Sequence, residues 1–598
     1  MNFIRDLKNY EIACFCVMII FALVCTMKMA AFSISGGVLN PDTILYSITA
    51  LKYAGLDYYN ITNPNEIFCS PIISFLTSLL FRMDLVDKSA IIIVSSVLCF
   101  LGYVGLYFLL KIRFNSLLSL IGVIIFGSTS VVIFNLSKGM IDIPAITIAI
   151  WVLYFAIKSI DENPKYFLIA LPLLIIGIFT KYVIGGFIIP TILLYYCMER
   201  NIIDLFDCII SDRELLKKKL MNYLKSREFK YIFIALTISI ILAVLICKTL
   251  ILDYGGTFGF IQQTSSTVNI NSKVTLSKIF NPNKSHYLDN FSNILYGKQK
   301  FGFVLSNLLY GIISFALIIE IINIFKNFNF VKSQRKPFKT RHLEIFLMIA
   351  LFIFVGVSFY GFKVMENNLI SNISFIFAIL IIHGILDKFP LDEKKLTLNL
   401  LFLTYFFINL IFFSLFPEKT DRYVLPLIVS FVYLVVWALE NIFSFIDNGF
   451  DNNETFKNKI NKDINYSNLS KIISIVLIAI FIVSTFSFIM PMEFDRSNTV
   501  YQEVLYCGFS NDLDDACDYI MQYDSDYHSK SFAAFSHSER TVRWNLNVNV
   551  TKLHIDDKEL LDFNETDYLI LYEDLNFKNY HKIHRCGDFF IYYHIKND

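Results

Sequence analysis

The sequence predicts an all-α polytopic membrane protein of about thirteen transmembrane helices, with interfacial helices in the first outer loop and a small α/β domain at the C-terminal end. Three observations carry that expectation. Of 598 residues, 55% are hydrophobic and only 17% are charged, against roughly 25% charged in an average soluble chain. Apolar runs of about 20 residues, the length that crosses a bilayer, recur along the chain. After position 490 the composition turns polar. A soluble enzyme is excluded because single cores stop growing beyond about 250 to 300 residues, and a disordered chain or disulfide scaffold is excluded by the same composition. The formal net charge of +1 leaves no basic footprint for nucleic acid.

The apolar runs centre on 10–32, 89–110, 114–135, 142–160, 165–180, 182–198, 231–252, 301–325, 344–362, 369–386, 397–416, 422–446 and 471–490. The fifth and sixth are separated only by Lys181 and read as a tight hairpin of short helices. Between the first and second, LNPDTILYSITALKYAG reads as a helix with Asn40 as cap, Pro41 at its first position and Gly55 as stop. Asp42, Tyr46, Thr49 and Tyr53 share one face, and Ile44, Leu45, Ile48 and Leu51 another. A helix so divided is expected to lie along the membrane surface, apolar side down. SPIISFLTSLLFR repeats the design, with Ser70 as cap, Pro71 first and Arg82 snorkelling at the end.

Lys and Arg accumulate in cytoplasmic loops. The segments 199–230 and 326–343 are rich in both, so they are placed inside, together with an N-terminus bearing Arg5 and Lys8. Thirteen spans then put residues 491–598 outside, and the chain divides into a transmembrane part, 1–490, and an extracytoplasmic α/β domain, 491–598. In that tail FFIYYHI and DYLILYEDL alternate like strands around a helical SNDLDDACDYIMQY. The first span ends in MAAFS, which mimics a signal-peptidase site, yet its length favours an uncleaved helix. Cys69, Cys507, Cys517 and Cys586 fall outside. Cys507 and Cys517 offer either a bridge or two free thiols, and no spacing suggests zinc.

Charges at the outer ends of the spans carry the functional reading. Asp42 opens the first interfacial helix and Asp142 the fourth span, each just ahead of or behind a Pro. Each alone reads as an acid complementing a helix N-terminus. Together, converging on one outer cavity, they are suited to position and deprotonate an acceptor hydroxyl. Lys138, Lys181, Lys248, Lys363, Lys419 and Arg422 also fall at outer ends. Snorkelling accounts for Lys248 and Lys363. Lys181, in FTKYVIGG, has almost no loop around it, and Arg422, in DRYVLPLI, sits at a helix N-terminus. An Arg fork beside a Lys point charge implies a phosphate-bearing ligand.

The order PDTILYS, SPIISFLTSLLFR, FTKYVIGG and DRYVLPLI resembles the GT-C glycosyltransferases of the family 39 type, which include protein O-mannosyltransferases and the aminoarabinose transferase of lipid A. The resemblance spans about residues 10–490. It implies a polyprenyl-phosphate sugar donor, a lipid, glycan or protein acceptor, and an integral protein of the plasma membrane. It matches Asp42 to the catalytic acid of the first loop and Asp142 to the second acidic position, with Lys181, Arg422 and Lys138 on the donor phosphate. It leaves open a divalent metal ion held by Asp142. Thr43 follows Asp42 where protein mannosyltransferases have Glu, and Tyr182 follows Lys181 where Gly is frequent.

Other readings compete. Asp524, Ser525 and Asp526 form a D-x-D string, read as a solvated loop, and DYGG at 253–256 only faintly matches the oligosaccharyltransferase signature. Asn549 and Asn564 open N-x-T triplets. A transporter or lipid flippase is the alternative function, and it predicts ionisable residues buried at mid-membrane. His383, inside the tenth span, is read instead as a packed core residue.

Overall fold

The computed structural model describes residues 9–36, 41–56, 70–203, 217, 221–254, 283–297, 299–333, 341–416, 419–451, 467–492, 510–535, 538–553, 565–572 and 574–595. Asn40, Cys69, Cys507 and Asn564 lie outside them, as do residues 204–216, 218–220 and 334–340 of the two basic segments. The bundle comprises α1 (Asn9–Gly36), α2 (Pro41–Ala54), α3 (Pro71–Phe81), α4 (Ser89–Lys111), α5 (Ser116–Ser128), α6 (Ser130–Ser137), α7 (Asp142–Asp161), α8 (Phe167–Thr180), α9 (Val183–Glu199) and α10 (Arg227–Ile246). It continues with α11 (His286–Tyr296), α12 (Gly302–Ser333), α13 (Arg341–Lys363), α14 (Asn368–Leu386), α15 (Glu393–Leu415), α16 (Leu425–Asp451) and α17 (Ser467–Ile489).

Every expected apolar run falls on helix, and ten helices among the described residues are long and apolar enough to cross a membrane. The three remaining runs differ from plain spans. The run at 114–135 is broken into α5 and α6, which bend by 57°. The short helices α8 and α9 hold Pro172 and Pro190. At 17 residues, α9 reaches about 26 Å, against a hydrocarbon core of about 30 Å.

The break lies at Thr129, whose backbone is extended. A helix interrupted inside a bilayer needs new partners for its freed backbone groups. They come from the segment around α11. Gln299 donates to the Ser128 carbonyl at 2.5 Å, and the Tyr296 hydroxyl donates to the Ile125 carbonyl at 3.2 Å and lies 2.9 Å from Ser128 Oγ. Ser484 on α17 donates in turn to Gln299 Oε1.

The interfacial helices need correcting. Helix α2 begins at Pro41 and stops before Gly55, whose φ of +74° supplies the left-handed residue that ends a helix. Yet α2 is not half-immersed: Tyr46, Thr49 and Tyr53 on its supposed polar face are as buried as Ile44 and Leu51. Ile73, Ile91 and Ile92 cover one side, Trp544 of the C-terminal domain packs there too, and Tyr53 donates to the Leu250 carbonyl beyond α10. Ser70 stands at the N-cap of α3 but makes no capping bond. Arg82 does not snorkel; its guanidinium donates to the Tyr53 carbonyl at 2.6 Å and so caps the C-terminal turn of α2.

Helices α7 and α16 run through the middle of the bundle, α7 against α4, α8 and α9, and α16 against α5, α12 and α15. Ion pairs Lys111–Glu11, Arg113–Glu440 and Lys394–Asp161 fasten the end where α1 and α15 begin and α4 and α7 finish. His383 is buried and bonded to Thr397 Oγ1 at that same end, near the start of α15.

The tail folds around a five-stranded sheet in the order β2-β1-β3-β5-β4. Its elements are α18 (Ser510–Tyr523), β1 (Phe532–Phe535), α19 (Glu539–Leu546), β2 (Val550–Leu553), β3 (Tyr568–Leu571), β4 (Tyr580–Cys586) and β5 (Phe589–His594). Strands β2, β1 and β3 are parallel, and β5 and β4 close the sheet antiparallel. Burial of every residue of β1 and β3 is what a central strand covered on both faces requires. Helices α18 and α19 cover one face, where Cys517 is buried and free.

Candidate active site

Several elements start or stop at the opposite end of the bundle: α2 and α7 begin there, α8 ends there, and a 3₁₀ turn over Asp421–Val424 leads into α16. Each delivers one charged side chain. Asp142, 5% exposed in the first turn of α7, accepts from the Lys181 ammonium. Asp42, 37% exposed in the first turn of α2, accepts from Arg422 Nη1 at 3.3 Å through Oδ2. The Thr43 hydroxyl donates to the Lys138 carbonyl at 2.9 Å, tying α2 to the segment before α7. The bundle thus gathers four of the residues singled out in the sequence. Lys138 joins them by its backbone, its side chain being half-buried.

Local backbone explains the placement of the cations. Lys181 stands in extended conformation between two helices, its N–H bonded back to Gly177, so its side chain projects from the helix end. Its ammonium lies 5.5 Å from the Tyr423 ring centroid, and the Arg422 guanidinium lies equally far on that ring. The Tyr423 ring stacks on Phe413 of α15 at 5.0 Å and 10°. Such cation–π contacts hold charges in place without neutralising them. Asp142, Lys181, Phe187, Tyr405, Arg422 and Tyr423 line a cavity of about 30 Å³, and Asp142 Oδ2 is buried there with no hydrogen bond among the described residues.

A further residue of the site, Arg540, is not among those singled out in the sequence. It belongs to α19 of the C-terminal domain, and its Nη1 lies 2.8 Å from Asp42 Oδ1. Trp544, one turn further on, packs against Phe81 with ring centroids 6.2 Å apart. Lys88 and Asp514 pair across the same interface at 2.8 Å. Burial alone would raise the Asp42 carboxyl. Arg422 and Arg540 outweigh it and hold the group below the usual carboxylate range. The one available signal was a Trp and two arginines on a short helix of a polar domain.

The remaining outer cations do other work. Lys419 donates to the Phe413, Ser414 and Phe416 carbonyls and so caps α15, and burial pushes its ammonium down to about 8. Lys248 and Lys363 are exposed, and no ion pair joins them to either acid. Among the described residues no three His, Cys, Asp or Glu side chains gather in a group that could hold a metal ion. Asp524 and Asp526 belong to a tight turn in which Asp524 also accepts from the Tyr568 hydroxyl. Of DYGG, Asp253 and Tyr254 form a 3₁₀ turn, and the two glycines lie outside the described residues.

A carboxylate flanked by cations that converge from separate elements suits a reaction in which a hydroxyl loses a proton while an anion departs. The family model described as dolichyl-phosphate-mannose-protein mannosyltransferase matches residues 69–205. No curated protein matches the chain. Among solved structures, ArnT from Cupriavidus metallidurans in the apo state is similar at 11% identity, over 97% of this chain and 98% of that one, with a TM-score of 0.49. The same protein bound to undecaprenyl phosphate gives 12% identity, 97% and 98% coverage and a TM-score of 0.46. An Archaeoglobus fulgidus oligosaccharyltransferase tethered with an acceptor peptide gives 11%, 91% and 64%, and 0.43. The family match runs from just before α3 to just after α9, less than half of the chain.

Proposed function

We propose, for a chain that carries the mannosyltransferase family pattern over residues 69–205, that it transfers a sugar from a polyprenyl-phosphate donor to an acceptor hydroxyl on the extracytoplasmic face of the plasma membrane, with inversion. The observation that carries the reading is the meeting of Asp42, Arg422, Asp142 and Lys181 at one end of the bundle through two ion pairs.

The acceptor oxygen attacks the anomeric carbon from the side opposite the lipid phosphate. The carbon–oxygen bond to the acceptor forms as the bond to the phosphate oxygen breaks. The hydroxyl proton goes to Asp42, and the leaving lipid phosphate gains one negative charge. Lys181 and Arg422 stabilise that charge, the Arg by a planar two-point fork and the Lys as a point charge. Asp142 holds Lys181 in place and, through its second oxygen in the cavity, orients the acceptor. Lys138, whose carbonyl accepts from the Thr43 hydroxyl next to Asp42, is assigned to the donor phosphate as a further cation.

The rival reading as a transporter asks for ionisable groups at mid-membrane. His383, the candidate for that role, pairs with Thr397 near a helix start. The test is to supply purified full-length protein with polyprenyl-phosphate sugars of different labelled sugars and to measure release of polyprenyl phosphate. Release that requires an acceptor supports the enzyme. Movement of the intact lipid across vesicles without release supports the transporter.

A further inference from the structure

Asp42 presents a difficulty for its own proposed role. Both of its oxygens accept from guanidiniums, Oδ2 from Arg422 and Oδ1 from Arg540. A carboxylate held in this way is a weak proton acceptor, because the cations favour its ionised form over the protonated form that follows proton transfer. One arginine must let go for the reaction to proceed.

The two are not equivalent. Arg422 is part of the bundle, set on the turn that starts α16 and braced by Tyr423, whose ring stacks on Phe413. Arg540 arrives on α19 from a separately cored domain. That domain meets the bundle through Trp544, seated against α2 and α3, and through the Lys88–Asp514 pair. Charge favours the same choice. Asp42–Arg422 and Asp142–Lys181 already pair each acid with one cation, and Arg540 adds a further positive charge to Asp42. A phosphodiester donor brings one negative charge, and the released monoester brings a second as its ionisation completes.

We infer that Arg540 is a latch: the C-terminal domain places it on Asp42 when the site is empty, and the donor phosphate takes it over, freeing Oδ1 to receive the acceptor's proton. The inference rests on the donor reading above and adds a positioning residue to it. Arg540 acts through Asp42 before the reaction and on the leaving phosphate during it. No atom is exchanged in the hand-over, since one guanidinium trades a carboxylate for a phosphate. The sugar-transfer step then proceeds with the same bonds made and broken, and the same proton destination, as proposed above.

The experiment is equilibrium binding of labelled polyprenyl phosphate to the full-length protein. Four chains are compared: wild type, Arg540→Gln, Asp42→Asn and the double variant. Arg540→Gln is expected to weaken binding about tenfold, the scale of one charge-assisted hydrogen bond. Asp42→Asn is expected to tighten it, because the arginines lose their competing carboxylate, and that gain is expected to shrink when Arg540 is also absent. Arg540→Lys, which keeps the charge but not the fork, gives a smaller loss and serves where the Gln variant folds poorly. Wild-type affinity in Arg540→Gln, or an equal gain from Asp42→Asn with and without Arg540, overturns the latch alone. No binding by the wild-type chain overturns the donor reading and the latch with it.

Discussion

Replacing Lys181 by Met separates the structural from the functional share of the site. Its ammonium pairs with Asp142, a side chain only 5% exposed whose second oxygen finds no hydrogen bond among the described residues. Removing one partner of a buried pair typically costs about 3 to 5 kcal/mol, because a desolvated charge is left behind. Lys181 is itself 19% exposed and the Arg422 charge also acts on Asp142, so the lower end, about 3 kcal/mol, is expected. Asp142→Asn leaves a cation with access to solvent and is expected to cost about 1 kcal/mol. The double variant, Lys181→Met with Asp142→Asn, should then be close to Asp142→Asn alone, a coupling of about 3 kcal/mol. Stability is read by thermal melting in detergent and donor affinity by lipid-phosphate binding on the same samples. The double variant is expected to regain stability and not affinity. If Lys181→Met melts like the wild type and binds donor unchanged, Lys181 is a snorkelling charge and its place in the site is refuted.

Other expectations follow from particular contacts. Gln299→Leu leaves the Ser128 carbonyl without its side-chain donor at the α5–α6 break, and melting should fall by about 1 to 3 kcal/mol equivalent, whereas no change would mean that water serves as well. Asp42 has a depressed carboxyl, so its clamp contributes stability above the unfolded value near 4 and loses it as pH falls through the folded value. Melting should therefore drop on acidification below about pH 4, and Asp42→Asn should flatten that drop; an identical profile in the variant would contradict the clamp. Cysteines placed at the exposed Ser529 and Asp574 should react with an impermeant reagent in intact cells and one at Lys217 should not; the reverse pattern would invert the topology.

The bundle was legible because burial in lipid imposes one demand, about twenty apolar residues per span, and the composition displays it plainly. The charged residues of the site were legible for a related reason: Asp42, Asp142, Lys181 and Arg422 stand out against long apolar stretches where each needs a partner. Three features were hidden. SLLSLIGVIIFGSTSVVIFNLS reads as one span, and only the small polar GSTS marks where it breaks; the partners that permit the break, Tyr296 and Gln299, lie far along the chain. Helix α2 has the alternation of a surface helix, but its polar face is covered by tertiary packing that periodicity does not record. Arg540 lies 498 residues from Asp42 on a helix that reads as part of an ordinary soluble domain, and docking alone gives it a role.

The most direct measurement compares wild type and Asp42→Asn for release of polyprenyl phosphate from a labelled polyprenyl-phosphate sugar in the presence of acceptor. Asn keeps the size of the side chain at the first turn of α2 while removing the proton acceptor. Loss of a helix-end charge contributes about 0.3 to 1 kcal/mol, whereas loss of a general base lowers the rate by about 10² to 10⁴. The expected result is release reduced at least a hundredfold in a protein that still folds and still binds the lipid phosphate. Wild-type release by the Asp42→Asn protein would contradict it, and Asp42 would then be only the charged first turn of its helix.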